Sequence, residues 1–346
     1  MRIFGLGILL ALLPILNGQE DRAPLIVEGE EFFVEMRQLT FGGENAEAYF
    51  SFDESRLIFQ STRDSFACDQ QFVMGIAARD TRLVSTGRGR TTCGYFLPGD
   101  TRILYASTHL KNAECPPTPD FSQGYVWAIY PEYDIFTARI DGTDLRQLTN
   151  SPGYDAEATV SPTGERIVFT SMRNGDLDIY SMNLDGTDVK QLTDDLGYDG
   201  GPFFSWDGSM IVYRSWHYPD SAEARNYSSL LSRNLVRPSR MEIFVMKADG
   251  TGKRQLTNNG AANFAPFFHP DNNRIIFASN MADPKGRNFD LYLMDLDGKN
   301  VTRVTYDESF DGFPMFTRDG KRLVFASNRN ARVRGETNIF IADWNE

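Results

Sequence analysis

The sequence predicts an all-β chain: a six-bladed β-propeller of four-stranded antiparallel blades, in which an N-terminal strand completes the last blade. Three observations carry that expectation. A unit of roughly 45 residues recurs along most of the 346-residue chain, the period of propeller repeats. Each unit divides into four short runs separated by turn signals. Helical periodicity is nearly absent.

Residues 153–193, GYDAEATVSPTGERIVFTSMRNGDLDIYSMNLDGTDVKQLT, show one unit whole. AEATVS alternates small or apolar with polar residues and stops at Pro162-Thr163-Gly164, a turn signal. RIVFTS is β-branched and aromatic, as a strand buried on both faces should be. After the loop at 173–176 comes DIYSMNL, ended by Asp185-Gly186, the strongest short hairpin signal between apolar runs. VKQLT is shorter and more polar and suits an edge strand. The unit is thus four strands, a to d, joined by tight turns.

Strand d ends at Thr40, Ser85, Thr149, Thr193, Thr257 and Thr305, at intervals of 45, 64, 44, 64 and 48 residues. The two long intervals are insertions in a regular unit. Turns between strands a and b recur at Asp53-Glu54, Pro98-Gly99, Pro162-Thr163, Asp207-Gly208, Pro270-Asp271 and Asp319-Gly320, giving six units. The last unit stops after its c-strand, NIFIADW, and FFVEMRQLT at 32–40 is a d-type strand with no unit of its own. Pairing the two closes the ring and removes an open edge that would invite aggregation.

Residues 1–18 read as a secretory signal peptide: Arg2, an apolar run from Ile3 to Leu16, then Gly18 at a cleavage point. The run is short for a membrane span, and no other apolar stretch is long enough, so no span is expected after signal removal. Residues 19–31 read as a linker and 32–346 as the propeller. The formal net charge of −12 argues against a nucleic-acid partner, which requires a basic face. Export permits disulfides. Cys68 and Cys115 fall in b–c loops of adjacent blades and are expected to pair; Cys93, in TTCGYF on an inner strand, is expected to stay free.

LDGTDVKQLT, SPTGERIVFTS and DIYSMNLDG resemble the WD40-like, Pro-Asp-type repeats of TolB-like periplasmic propellers, over about residues 32–346. The same repeats occur in the propellers of prolyl-oligopeptidase-type peptidases. The resemblance is specific for fold and weak for function. Neither the N-terminal α/β domain of TolB nor a peptidase hydrolase domain is expected within these 346 residues. The resemblance implies an exported, non-catalytic binding or scaffold protein of the cell envelope, periplasmic or secreted, with a protein or peptide partner. A carbohydrate-active lyase or hydrolase using the same face is the alternative.

Catalytic signals are sparse. There is no G-x-S-x-G, H-E-x-x-H or Cys-x-x-Cys motif, and only three histidines, His109, His217 and His269. Binding signals converge on one face, termed the top, which holds the start of strand a, the end of strand b and the b–c loop. Just past strand b lie Arg63, His109, Arg173, His217, Met281 and Arg329. Strand a begins at Asn45, Thr91, Asp155, Asp199, Asn263 and Asp311, with Glu47 and Glu157 nearby. The basic column suits a small anionic ligand whose binding strengthens as pH falls toward about 6.5. The plainer reading is that Arg173 braces the b–c loop against Asp178, one of the residues opening strand c (Gln71, Asp134, Asp178, Glu242, Asp290, Asn338). No cofactor is expected, unless the oxygen-rich mouth holds calcium, for which no loop spacing is present.

Both insertions fall between strands b and c, at 110–133 and 218–240, and overhang the same rim. Tyr125 and Trp127 of the first are candidate contacts, and SSLLSRNL of the second is expected to form a short helix.

Overall fold

The computed structural model describes residues 24–345 except 123, 219, 284, 285 and 287. The signal peptide expected at 1–18 lies outside the described residues. Six four-stranded sheets form the blades, each ordered a-b-c-d and antiparallel throughout. Blade three comprises Asp155–Val160, Arg166–Ser171, Asp178–Asn183 and Lys190–Gln191. Blade six takes its d-strand, Phe33–Gln38, from the other end of the chain, where it pairs with Asn338–Trp344. Phe32 stacks on Trp344 at 4.8 Å and secures the join.

Two networks repeat in every blade and explain much of the sequence unit. The first is polar. The threonine ending strand d accepts a backbone N–H from strand c: Ile135 to Thr149, Ile179 to Thr193, Ile243 to Thr257, Leu291 to Thr305 and Ile339 to Thr40, all at 2.8–2.9 Å. Ser85 does the same for Gln71 at 3.0 Å. Hydroxyls thereby satisfy donors that burial would otherwise orphan. The second is aromatic. Strands b and c of each blade face one another through a ring pair: Phe59–Phe72, Tyr105–Phe136, Phe169–Tyr180, Tyr213–Phe244, Phe277–Tyr292 and Phe325–Phe340. These pairs anchor the apolar layers between blades.

The register corrects one assignment. Ser61 faces Gln70, as Ser171 faces Asp178, so Gln70 rather than Gln71 opens strand c of blade one. The segment read as a linker is also built into the fold where it is described. Leu25 and Ile26 pack on the core, and buried Glu30 accepts hydrogen bonds from Arg329 at 2.9 and 3.1 Å.

The insertions come together over blade three. Trp127–Ala128 of the first pairs with Leu235–Val236 of the second as a two-stranded ribbon. The second insertion also holds the one helix among the described residues, Ser221–Leu231. It begins seven residues before SSLLSRNL because Asp220 caps it, accepting from the Ala222 and Glu223 N–H groups at 2.8 Å. Cys68 and Cys115 are bridged, with Cα atoms 5.9 Å apart, which ties the first insertion to blade one; Cys93 is free.

Candidate functional site

The channel is shaped by one backbone irregularity used six times. Every strand a shifts register partway along. At that bulge Glu47, Cys93, Glu157, Gly201, Ala265 and Phe313 take left-handed backbone angles, with φ between 46° and 60°. All six line one narrow chamber in the channel. Half the ring carries Glu, Cys and Glu; the other half carries Gly, Ala and Phe.

Tyr49, Thr159 and Phe203 line it as well, and Arg214 enters it from strand b. The position before the repeated serine of strand b is Gln60, Ala106, Thr170, Arg214, Ala278 or Ala326. Only blade four places a charge there. Arg214 reaches inward over Gly201, where a Cβ would lie 2.6 Å from its Nη1, so that glycine makes the room. The guanidinium is ion-paired with Glu157 and donates to the Tyr198 hydroxyl at 2.7 Å. Glu157 also accepts from the Thr170 hydroxyl at 2.7 Å and the Gly201 N–H at 2.9 Å. Burial opposes the charge on Arg214, but Glu157 and Tyr198 outweigh it and hold the guanidinium protonated.

Glu47 is placed differently. Its Oε2 is buried with no hydrogen-bond partner among the described residues, and its carboxyl lies in reach of the Cys93 thiol. Burial, reinforced by Glu157 and Asp69, pushes its pKa up to about 7 against the pull of Cys93 and Arg214.

The ribbon roofs the chamber. Trp127 lies 5.1 Å over the Arg214 guanidinium, and Phe264 lies 5.9 Å from it. From Trp127 an arc of partly exposed rings runs around the mouth through Phe264, Phe289, Phe310 and Phe313, at centroid spacings of 5.1, 5.4, 5.9 and 6.2 Å. Toward the opposite face, Tyr49, Tyr95 and Phe203 cluster between the chamber and a second cavity lined by Trp206 and Arg318.

The structure sorts the sequence candidates. Asp155, Asp199 and Asp311 are fully buried. Each pairs within its own blade: Arg173 to Asp155 at 3.1 Å, His217 to Asp199 at 3.3 Å and Arg329 to Asp311 at 2.8 Å. The partner of Arg173 is therefore Asp155 rather than Asp178. The same column covers the aromatic pairs: Arg63 lies 5.6 Å from Phe72, His109 is 4.6 Å from Phe136, Arg173 is 4.8 Å from Tyr180, His217 is 5.9 Å from Phe244 and Arg329 is 5.2 Å from Phe325. The two histidines diverge. Burial and then Arg88 lower the pKa of His109. Burial also acts to lower that of His217, but Asp199 prevails and raises it. Of the predicted residues, Glu157 lines the chamber and Trp127 lies over the guanidinium of Arg214, the ion-pair partner of Glu157. Tyr125 lies on the outer side of the ribbon, mostly exposed, stacked on Phe121 and accepting from the Trp127 indole at 3.1 Å.

Sequence reading passed over Arg214 and Cys93 as site residues and gave Glu47 no role of its own. The signal for them was the break in the repeat: one charge in a column of small or neutral residues, one glycine in the bulge column. Among the described residues no three His, Cys, Asp or Glu side chains converge as a metal ion would need, and no helix is long and apolar enough to cross a membrane.

Comparison with known proteins agrees with this architecture. The family model of the TolB beta propeller domain matches residues 128–218. No curated protein matches the sequence. TolB from Acinetobacter baumannii superposes with a TM-score of 0.57 at 17% identity, covering 77% of this chain and 55% of that one. The chain thus spans about half the length of that relative. The putative TolB from Agrobacterium tumefaciens gives 0.54 at 17% identity, covering 88% and 91%. An oligogalacturonate lyase in complex with manganese gives 0.53 at 13% identity, covering 90% and 93%. At these identities the likeness is one of fold.

Proposed function

We propose that this TolB-like six-bladed propeller is an exported binding protein of the cell envelope that takes its ligand, or a segment of a protein partner, at the top mouth of its channel. The observation that carries this reading is the ribbon. Two insertions from non-adjacent blades pair with each other and set Trp127 against the Arg214–Glu157 pair. A ring needs no such roof to fold. A concave mouth with a few convergent polar groups and an aromatic wall is the usual form of a ligand site. Export rests on the N-terminal sequence and accords with the disulfide. No observation favours the lyase alternative.

A thermal-shift screen of small metabolites and peptides tests the reading. Ligands of the mouth should raise the melting temperature of the wild type and lose that effect in Trp127→Ala. If every stabilising compound acts equally on that variant, the site lies elsewhere.

A further inference from the structure

We infer that the chamber under the ribbon receives a primary ammonium group carried on an alkyl stem, with Glu47 as its counter-ion and the aromatic arc as the wall for the stem. The inference deepens the binding reading above and rests on it.

Charge comes first. Five ionisable groups line the chamber; burial pushes Tyr49 and Cys93 up and keeps them neutral, which leaves Glu47, Glu157 and Arg214 to set its charge. Arg214 is consumed by Glu157, so the pair is neutral. Glu47 has the weak Cys93 thiol in reach of its carboxyl, while its Oε2 is shielded from solvent and accepts no hydrogen bond among the described residues. A buried acceptor in that position is unfavourable unless a donor arrives, and a cationic donor satisfies both its charge and its hydrogen bond. An anion would meet the opposite: Arg214 is taken by Glu157, Arg173 and His217 pair with buried aspartates of their own blades, and Arg329 pairs with Asp311 and Glu30.

Shape comes next. The chamber has room for little more than a water-sized group, which an –NH3+ head matches and a quaternary ammonium does not. Above it the five rings from Trp127 to Phe313 form a continuous apolar wall, and Phe313 belongs to both wall and chamber. Methylenes pack on such faces, and ring faces attract the cation on its way in.

The groups that act on Glu47 are Cys93, Glu157, Arg214 and Asp69 from facing elements, and Tyr49 on its own strand. Cys93 and Tyr49 are pushed up by burial and Arg214 is held charged, so none of these three changes charge between pH 6 and 8. Glu47, at about 7, does. Ammonium binding should therefore strengthen by about tenfold from pH 6 to pH 8, as the ionised fraction of Glu47 rises.

The test is calorimetric titration with n-butylammonium, 1,5-diaminopentane and Nα-acetyl-lysinamide, against 1-butanol as the neutral isostere and tetramethylammonium as the wide cation. Primary ammonium probes should bind at least tenfold more tightly than 1-butanol or tetramethylammonium. Glu47→Gln, which removes only a buried charge and should fold at least as well, should bring them to the level of 1-butanol and flatten the pH profile. The tightest probe then tells a peptide lysine from a free polyamine. Equal binding of 1-butanol, full affinity in Glu47→Gln, or no pH response would each overturn the inference. Thermal-shift ligands that depend on Trp127, combined with silence toward all three amines, would overturn it while leaving the binding reading intact. Silence in both experiments would remove both.

Discussion

Asp178 shows how the repeat sets a residue's chemistry. It opens strand c of blade three, 3% exposed, accepting from Gln191 at 3.0 Å and Thr193 at 3.1 Å. Burial, then the charge of Asp176, pushes its pKa up to about 7 from an ordinary 3.8. The folded state thus holds a proton that the unfolded chain releases, so stability falls as pH rises from about 4 to about 7. Blade six has Asn338 in the same place, taking the hydroxyl of Thr40 at 3.2 Å, so the amide fits. Asp178→Asn should stabilise the protein at pH 8 by on the order of 2 kcal/mol and leave it nearly unchanged at pH 4. Denaturant unfolding at both values checks this; equal shifts at both would reject the titration account. The basic column gives a contrasting prediction. Replacing His109, Arg173 and His217 together by Ala strips ring contacts and leaves Asp155 without its ion pair. The triple variant should lose several kcal/mol of stability while amine binding at Glu47 persists in the folded protein. Loss of binding with unchanged stability would return the column to the site.

At the scale of elements, strands and turns were legible because each blade solves the same local problem. Alternation, Asp-Gly turns and terminal threonines have one structural meaning wherever they occur. The insertions were legible only as loops. Their pairing depends on blades two and four standing on either side of blade three, a tertiary fact absent from the local sequence around Trp127 or Val236. The helix was misplaced for a smaller reason: Asp220, as cap, outranked the apolar run. The disulfide was within reach of sequence because both loops were assigned to adjacent blades. It closes a 47-residue loop, which in the chain-entropy account is worth roughly 4 kcal/mol. Replacing Cys68 and Cys115 by Ser should speed hydrogen exchange across 110–133 well before it affects the inner strands. Uniform loss of protection over the whole chain would show that the bridge holds the ring rather than the roof.

The molecule as a whole depends on a closure that neither terminus achieves alone. The candidate site was partly hidden for a related reason: Glu47, Cys93, Glu157 and Arg214 come from four blades and meet only once the ring is shut. Three contacts make the closure. Strand 33–38 completes blade six, Thr40 accepts the Ile339 N–H at 2.8 Å, and Glu30 meets Arg329 in a pair that is almost wholly buried. Removing residues 24–40 therefore exposes the edge of Asn338–Trp344 and leaves Arg329 with Asp311 alone, a buried cation with half its counter-charge. Such a variant should melt at a markedly lower temperature and self-associate through the open edge. A shorter cut that removes only 24–31 should keep the sheet and stay monomeric, yet lose the Glu30 pair. Breaking a buried pair typically costs about 3–5 kcal/mol, so that cut should be destabilised by an amount Glu30→Gln partly reproduces. Sedimentation and thermal melts of the two truncations separate strand closure from charge closure. A monomeric longer truncation with wild-type melting would mean that five complete blades and one open one hold the ring without the N-terminal strand.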